Sequence, residues 1–225
     1  MERKIITTSD GSKTIQIKDW NEQYHSIHGA LQEALHVFIK TGLHHYLRLF
    51  RPKSIRILEI GFGTGLNAIL TQIEAEKEFV KIGYTGIEAY PVEASEIEQL
   101  NYTDIIPECE SDIFTKIHKT EWEDFQDISK YFELKKEQKF FKDITVQSEF
   151  DIIYFDAFGA RVQPELWTED IFQIMFNALK ANGILVTYSA KGSVRRAMEA
   201  VGFSVERLPG PPGKREMLRA SKRIS

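Results

Sequence analysis

The chain has 225 residues, of which 42% are hydrophobic and 28% charged, and its mean hydropathy is -0.30. These values fit a single α/β domain spanning 1–225, and no apolar run approaches the roughly 18 residues that a membrane helix needs. The lone cysteine, Cys109, excludes an internal disulfide and a multi-cysteine zinc site, and its acidic surroundings would raise rather than lower a thiol pKa. The six histidines lack HExxH-type spacing, so no metal is expected. The polar start MERKIITTSDGSK has no apolar signal core, which makes the cytoplasm the expected location. Net charge is -4, yet Ala190 to Ser225 carries nine Lys/Arg against three Glu, a local +6 that leaves -10 for the rest. Such a basic tail is either a footprint for a phosphate backbone or a solvated terminus.

In chain order, residues 1–50 form an N-terminal extension. Asp10-Gly11 predicts a turn between the short strands IITT and TIQI. The run GALQEALHVFIKTGLHHYLRLF predicts an amphipathic helix with a break near Gly42, stopped by Arg51-Pro52. A core over 54–220 follows. SIRILEI reads as a buried strand, Leu66 to Glu78 as a helix, and IGYTGIEA as a second strand ending near Glu88. Residues 101–138 are acidic and aromatic-dotted, which suggests an insertion or a lid, and KFFKDI returns to a strand followed by an acid. FDIIYFDAF is the strongest strand, ending at Asp156, and a helix capped by Thr168 succeeds it. Asn182-Gly183 turns into strand ILVTYSA, then helix SVRRAMEAVG, then a hairpin through PGPPGK. Strands alternating with helices imply a mainly parallel sheet flanked by helices.

The strongest chemical signal is the loop after SIRILEI, which reads Glu59-x-Gly61-x-Gly63-x-Gly65. In a doubly wound sheet the ligand lies beyond the carboxyl ends of the strands, where glycines let the backbone approach it. The acid two positions before the first glycine would repel a pyrophosphate but suits the ammonium and sulfonium charges of S-adenosylmethionine. This form resembles motif I of the class I methyltransferases, implying a Rossmann-like fold and S-adenosylmethionine as cofactor. Glu88, 23 residues after Gly65, stands where an acid bonds ribose hydroxyls. Asp143 is the candidate for the adenine amino group, with Asp112 as the alternative. Asp156 lies where the transferring methyl should be, placed to orient an amine and take up its proton.

With these pieces in place, the chain resembles the bacterial tRNA 5-aminomethyl-2-thiouridine methyltransferases, both the standalone enzymes and the methyltransferase half of a bifunctional protein. The matching stretches run over roughly residues 20 to 220: LQEALHVFI, LEIGFGTGLNAIL, GIEAYP, FFKDI, FDIIYFDAFGARVQPELWTEDIF, LVTYSAKGSVRRAMEAVGF and GKREML. The resemblance implies methylation of the exocyclic amine of 5-aminomethyl-2-thiouridine at the tRNA wobble position, without the flavin oxidase activity; a small-molecule amine is the alternative acceptor. It implies that Glu59, Gly61, Gly63, Gly65, Asn67 and Glu88 hold the cofactor and that Asp156 faces the substrate. Tyr24 and Ser26, in QYHS, match a stretch near the family's active site. Phe158 and Trp167 either stack on the anticodon base or pack the core. Arg195, Arg196, Lys214 and Arg215 match the VRR and KRE stretches, which favours contact with tRNA over a merely solvated tail. GARVQP replaces an APAKNP-like loop of many relatives.

Overall fold

The computed structural model describes residues 2–223; Met1 and the last two residues of the 1–225 domain lie outside the described residues. Strands β1 (Arg3–Thr7), β2 (Lys13–Ile17) and β3 (Glu22–Gln23) form a small antiparallel sheet, with the Asp10-Gly11 turn where the sequence places it. Helix α1 (Ala30–Ala34) continues without interruption through a π-helical stretch, Leu35–Leu43, into α2 (His44–Phe50). The expected break at Gly42 is therefore a widened helix, not an end. Arg51, in the left-handed region at φ 45°, terminates it.

The core alternates as the hydrophobic pattern dictates: β4 (Ser54–Ile60), α3 (Leu66–Glu78), β5 (Lys81–Ile87), the short helices α4 (Ala94–Ile97) and α5 (Tyr102–Ile105), then α6 (Ser111–Lys119). Next come β6 (Gln126–Asp127), β7 (Phe132–Glu137), β8 (Phe150–Phe155), α7 (Glu169–Ala178), β9 (Leu179–Thr187), α8 (Gly192–Ala200), β10 (Ser204–Pro209) and β11 (Glu216–Ser221). The eight-stranded sheet has the order β10-β11-β9-β8-β4-β5-β7-β6. Strands β7, β5, β4, β8 and β9 run parallel, while β11 enters antiparallel between β9 and β10. Every residue of β8 is buried, as a strand covered on both faces requires.

Two expectations need correction. Phe132–Glu137 lies in the sheet, paired with β5 from Ile82↔Phe132 to Ile87↔Glu137, so 101–138 supplies a core strand and is not simply an insertion or lid. Its alternating burial and its Lys- and Glu-rich composition hid it, because at the outer end of the sheet one face is wet. Conversely, KFFKDI is not a strand: Phe141–Asp143 is a turn of 3-10 helix.

The chain builds outward from β4 to β5 and β7, then crosses back to β8 and β9. Beyond the carboxyl end of β4 the two halves diverge, which is where such sheets open a crevice. The N-terminal sheet covers this crevice. Arg3 donates to the carbonyls of Tyr90 at 2.9 Å and Pro91 at 3.3 Å and pairs with Glu96 at 3.0 Å. Lys13 N donates to Asn101 Oδ1 at 2.8 Å, and Arg161 reaches the Trp20 carbonyl at 3.1 Å and pairs with Glu22.

Candidate active site

A cleft of about 700 Å³ opens at the carboxyl ends of β4, β5 and β8. Its floor is the glycine loop. The Gly61 and Phe62 amides both donate to the Ile87 carbonyl at 3.0 Å, locking the loop onto β5. Gly61 sits at φ 88°, and a Cβ there would lie 2.7 Å from the Asp156 carbonyl oxygen. Gly63 sits at φ 51°, where a Cβ would come within 2.9 Å of the Tyr24 ring. Neither position admits a side chain without displacing backbone or ring, so the glycines leave a narrow cradle beside the cleft. Gly65 is the N-cap residue of α3.

Two carboxylates meet over that cradle. The Asn67 amide nitrogen donates to Glu59 Oε1 at 2.8 Å and to Asp156 Oδ2 at 2.9 Å. Glu59 is buried to 1% exposure, and its Oε2 has no partner among the described residues. Burial, opposed by the Asn67 bond and by the Tyr84 hydroxyl and reinforced by Asp156 and Glu88, holds its carboxyl well above the usual range. An orphaned, buried acid at the strand end fits a cationic ligand that would restore its charge. Burial and then Glu33, opposed by Asn67 and Lys214, push Asp156 up to about 7. Glu88 accepts from the Gly63 amide and from Tyr90 N, both at 3.0 Å, so it braces the glycine loop from the next strand.

The opposite wall is aromatic. Phe158 stands edge-on to Tyr24 at 4.9 Å and to Trp20 at 5.7 Å between ring centres, and all three line the cleft. The Tyr24 hydroxyl is held protonated by burial and the Glu88 charge. Ser26 also lines the cleft; its oxygen accepts from His28 N at 3.2 Å and its amide donates to Glu33 Oε1 at 3.2 Å.

The cleft thus gathers Tyr24, Ser26, Glu59, Gly61, Gly63, Asn67, Glu88, Asp156, Phe158 and Lys214 of the residues singled out by sequence. It does not gather the others. Asp143 and Asp112 are exposed and outside its lining. The strand Asp143 was expected to end is a 3-10 turn, and Asp112 opens α6. Tyr90, Phe140, Phe141 and Lys142 take the wall next to Glu88 instead. Trp167 is a core residue with 5% exposure, edge-on to Phe155 at 5.0 Å. Its Nε1 donates to the Phe158 carbonyl at 2.8 Å, so it holds the loop that presents Phe158 rather than stacking on a ligand.

The basic tail is largely folded and paired. Arg195 bonds Glu199 at 2.8 Å, Arg207 lies 3.5 Å from Glu216, and Arg219 bonds Glu206 at 2.8 Å. Arg196 and Arg215 are exposed, and with Arg195 they lie outside the cleft lining. Lys214 turns inward to Glu33. Sequence reasoning missed Glu33, Trp20, Arg161, Tyr188 and Lys191, all of which line the cleft. Glu33 had a signal: it shares the buried face of α1 with Ala30 and Ala34, and an acid on an apolar face demands a partner. Burial also lifts the Cys109 thiol to about 11, consistent with an inert side chain. Among the described residues one group, His44, Glu74 and Glu78, has metal-ligand spacing; it lies outside the cleft lining, and His44 Nε2 is 2.6 Å from Glu74. No helix of the described residues is long and apolar enough to cross a membrane.

A mainly parallel doubly wound sheet with a glycine cradle and acids at adjacent strand ends is a Rossmann-like fold of the methyltransferase type. Residues 118–223 match the model of an S-adenosyl-L-methionine-dependent methyltransferase family. More particularly, the chain is similar to the tRNA 5-methylaminomethyl-2-thiouridine biosynthesis bifunctional protein MnmC. The protein of Leptospira interrogans is 28% identical over 91% of this chain and 33% of its own length. That of Idiomarina loihiensis is 27% identical over 88% of this chain and 35% of its own. The chain therefore spans about a third of these relatives. Among solved structures, MNMC2 from Aquifex aeolicus superposes with a TM-score of 0.82 at 25% identity, over 100% of this chain and 72% of that one. Spermidine synthase from Thermotoga maritima, TM-score 0.54 at 15% identity over 98% and 73%, shares the fold.

Proposed function

We propose that this chain methylates the 5-aminomethyl group of (2-thio)uridine at the tRNA wobble position, giving 5-methylaminomethyl-2-thiouridine. The observation that carries the reading is Asp156, joined through Asn67 to Glu59 at the edge of the glycine cradle and facing an aromatic wall. Glu59, Asn67, the Gly61 to Gly65 loop and Glu88 would hold the cofactor, in the part of the cleft that Tyr90 and Phe140 also line. When bound, S-adenosylmethionine supplies a methyl carbon to which the amine nitrogen bonds as the carbon–sulfur bond breaks, leaving a neutral thioether.

The chain's own residues do the rest. Phe158, Trp20 and Tyr24 receive the uracil ring, Asp156 orients the amine, and one of its carboxylate oxygens takes the proton that the methylated nitrogen releases. Its carboxyl, raised to about 7, is matched to accepting a proton near neutrality. The relatives' name points the amine to tRNA, and with tRNA goes a cytoplasmic location. Exposed Lys142, Arg161 and Lys191 at the cleft mouth, together with Arg196 and Arg215, meet the RNA backbone.

The test uses labelled S-adenosylmethionine, tRNA carrying 5-aminomethyl-(2-thio)uridine, and nucleoside analysis. Label in the 5-methylaminomethyl nucleoside is expected. Label transferred only to small amines would replace the RNA substrate with the alternative acceptor.

A further inference from the structure

Glu33 and Lys214 stand 181 residues apart in the chain and form an ion pair in the cleft. Glu33 is buried to 5% exposure, a placement that disfavours an ionised carboxylate unless it is well partnered. Its partners are the Lys214 ammonium and the Ser26 amide, the latter at 3.2 Å. The ammonium also lies 3.8 Å from the centre of the Tyr188 ring, a cation–π contact. The Tyr188 hydroxyl donates to the Ala157 carbonyl at 2.8 Å, one residue beyond Asp156. A single connected bridge therefore runs from α1, through the β10–β11 loop and the end of β9, to the loop that carries Asp156.

The groups facing Asp156 come from every surrounding element: Glu59 from β4, Asn67 from α3, Tyr84 from β5, Tyr188 after β9, Glu33 from α1 and Lys214 from the hairpin loop. Lys214 is the cation of the set. Glu33 raises the Asp156 carboxyl, and the Lys214 ammonium, paired with Glu33, opposes that rise and favours the ionised form that can accept a proton.

We propose that Glu33 and Lys214 are positioning residues for methyl transfer, Glu33 holding the Lys214 ammonium in the cleft and Lys214 leaving Asp156 free to take up the amine's proton. This rests on the reading that an amine is methylated beside Asp156. The balance is simple: after the nitrogen–carbon bond forms, one N–H proton passes to an Asp156 oxygen, leaving a neutral secondary amine. Lys214 thereby belongs to the active site rather than to an RNA-backbone contact.

The experiment is a carbon-13 titration of the Asp156 carboxyl in the full chain, with Asp156→Asn identifying its signal, alongside the pH profile of kcat/KM. Lys214→Met should move the Asp156 midpoint up by about one pH unit and Glu33→Gln should move it down by a similar amount. The acid limb of kcat/KM should follow in the same directions, and Lys214→Arg should restore the wild-type profile. Glutamine keeps an oxygen to accept from Ser26 N, so Glu33→Gln preserves the local turn. Midpoints that stay put, or that move the same way in both variants, would overturn the proposal. Opposite movements in a protein that methylates no tRNA would instead overturn the substrate assignment and leave the effect of the pair on Asp156 standing.

Discussion

The wall of the cleft that carries Glu59, Gly61, Gly63 and Glu88 comes from two consecutive strands and the loops that leave them, all within 30 residues. The facing wall takes Trp20, Tyr24 and Glu33 from before the central sheet, Phe158 and Arg161 from its middle, and Lys214 from its last hairpin. The first wall is held by backbone geometry, with loop amides bonded to the Ile87 carbonyl and no room for a Cβ. The second is held by side chains meeting across large sequence separations, such as Arg161 with Glu22 and Lys214 with Glu33. A ligand common to many proteins can be met by a local device, whereas a particular acceptor is met by long-range assembly.

The contrast can be tested by damaging each wall in turn. Gly61→Ala attacks the first: its methyl must enter the left-handed region and approach to 2.7 Å from a backbone oxygen. Cofactor affinity, measured by calorimetry, should fall by about 30-fold or more, since strain and displacement together exceed about 2 kcal/mol. Phe158→Ala attacks the second, and the KM for tRNA should rise about tenfold, in line with about 1–3 kcal/mol for one stacked base. Cofactor affinity should stay near wild type, and an equal loss of both would erase the division.

The smallest effect concerns the place where the walls meet. Burial and then Glu33 raise the Asp156 carboxyl from 3.8 to about 7, so its contribution to stability is complete below pH 3.8 and is lost as pH rises through about 7. Asp156→Asn is neutral throughout. Its melting temperature should exceed wild type by about 2–4 °C near pH 8, with the gap closing towards about pH 4. A gap that widens on acidification would reverse the sign of the Asp156 shift.

The same division explains what the sequence made legible. Periodicity located β4, α3, β5, β8 and α7 closely, because these elements are buried on a fixed period and end in Gly or a capping residue such as Thr168, whose side chain accepts from Ile171 N. Glu59, Glu88 and Asp156 were singled out by their positions at strand ends, and Asn67 by the family resemblance. Strand β7 escaped because it has one wet face, and Asp143 was misplaced as a result. Trp167 was ambiguous for a different reason: an indole beside an active-site loop can line the cleft or brace it, and only its bond to the Phe158 carbonyl decides. Glu33 and Lys214 became a pair only through folding, since no local pattern links residues 181 apart.

The position of β11 has a consequence for synthesis. Strand β9, with Ile184, Leu185 and Val186 deep in the core, is bordered on one side by β8 and on the other by β11, through Leu218↔Thr187 and its neighbours. Until Glu216–Ser221 has left the ribosome, that apolar strand presents an open edge of unpaired amides and carbonyls, the kind of edge that recruits other chains. The hairpin that seals it is the one that delivers Lys214. The pairing that closes this edge of the sheet therefore also completes the cleft wall that carries Lys214.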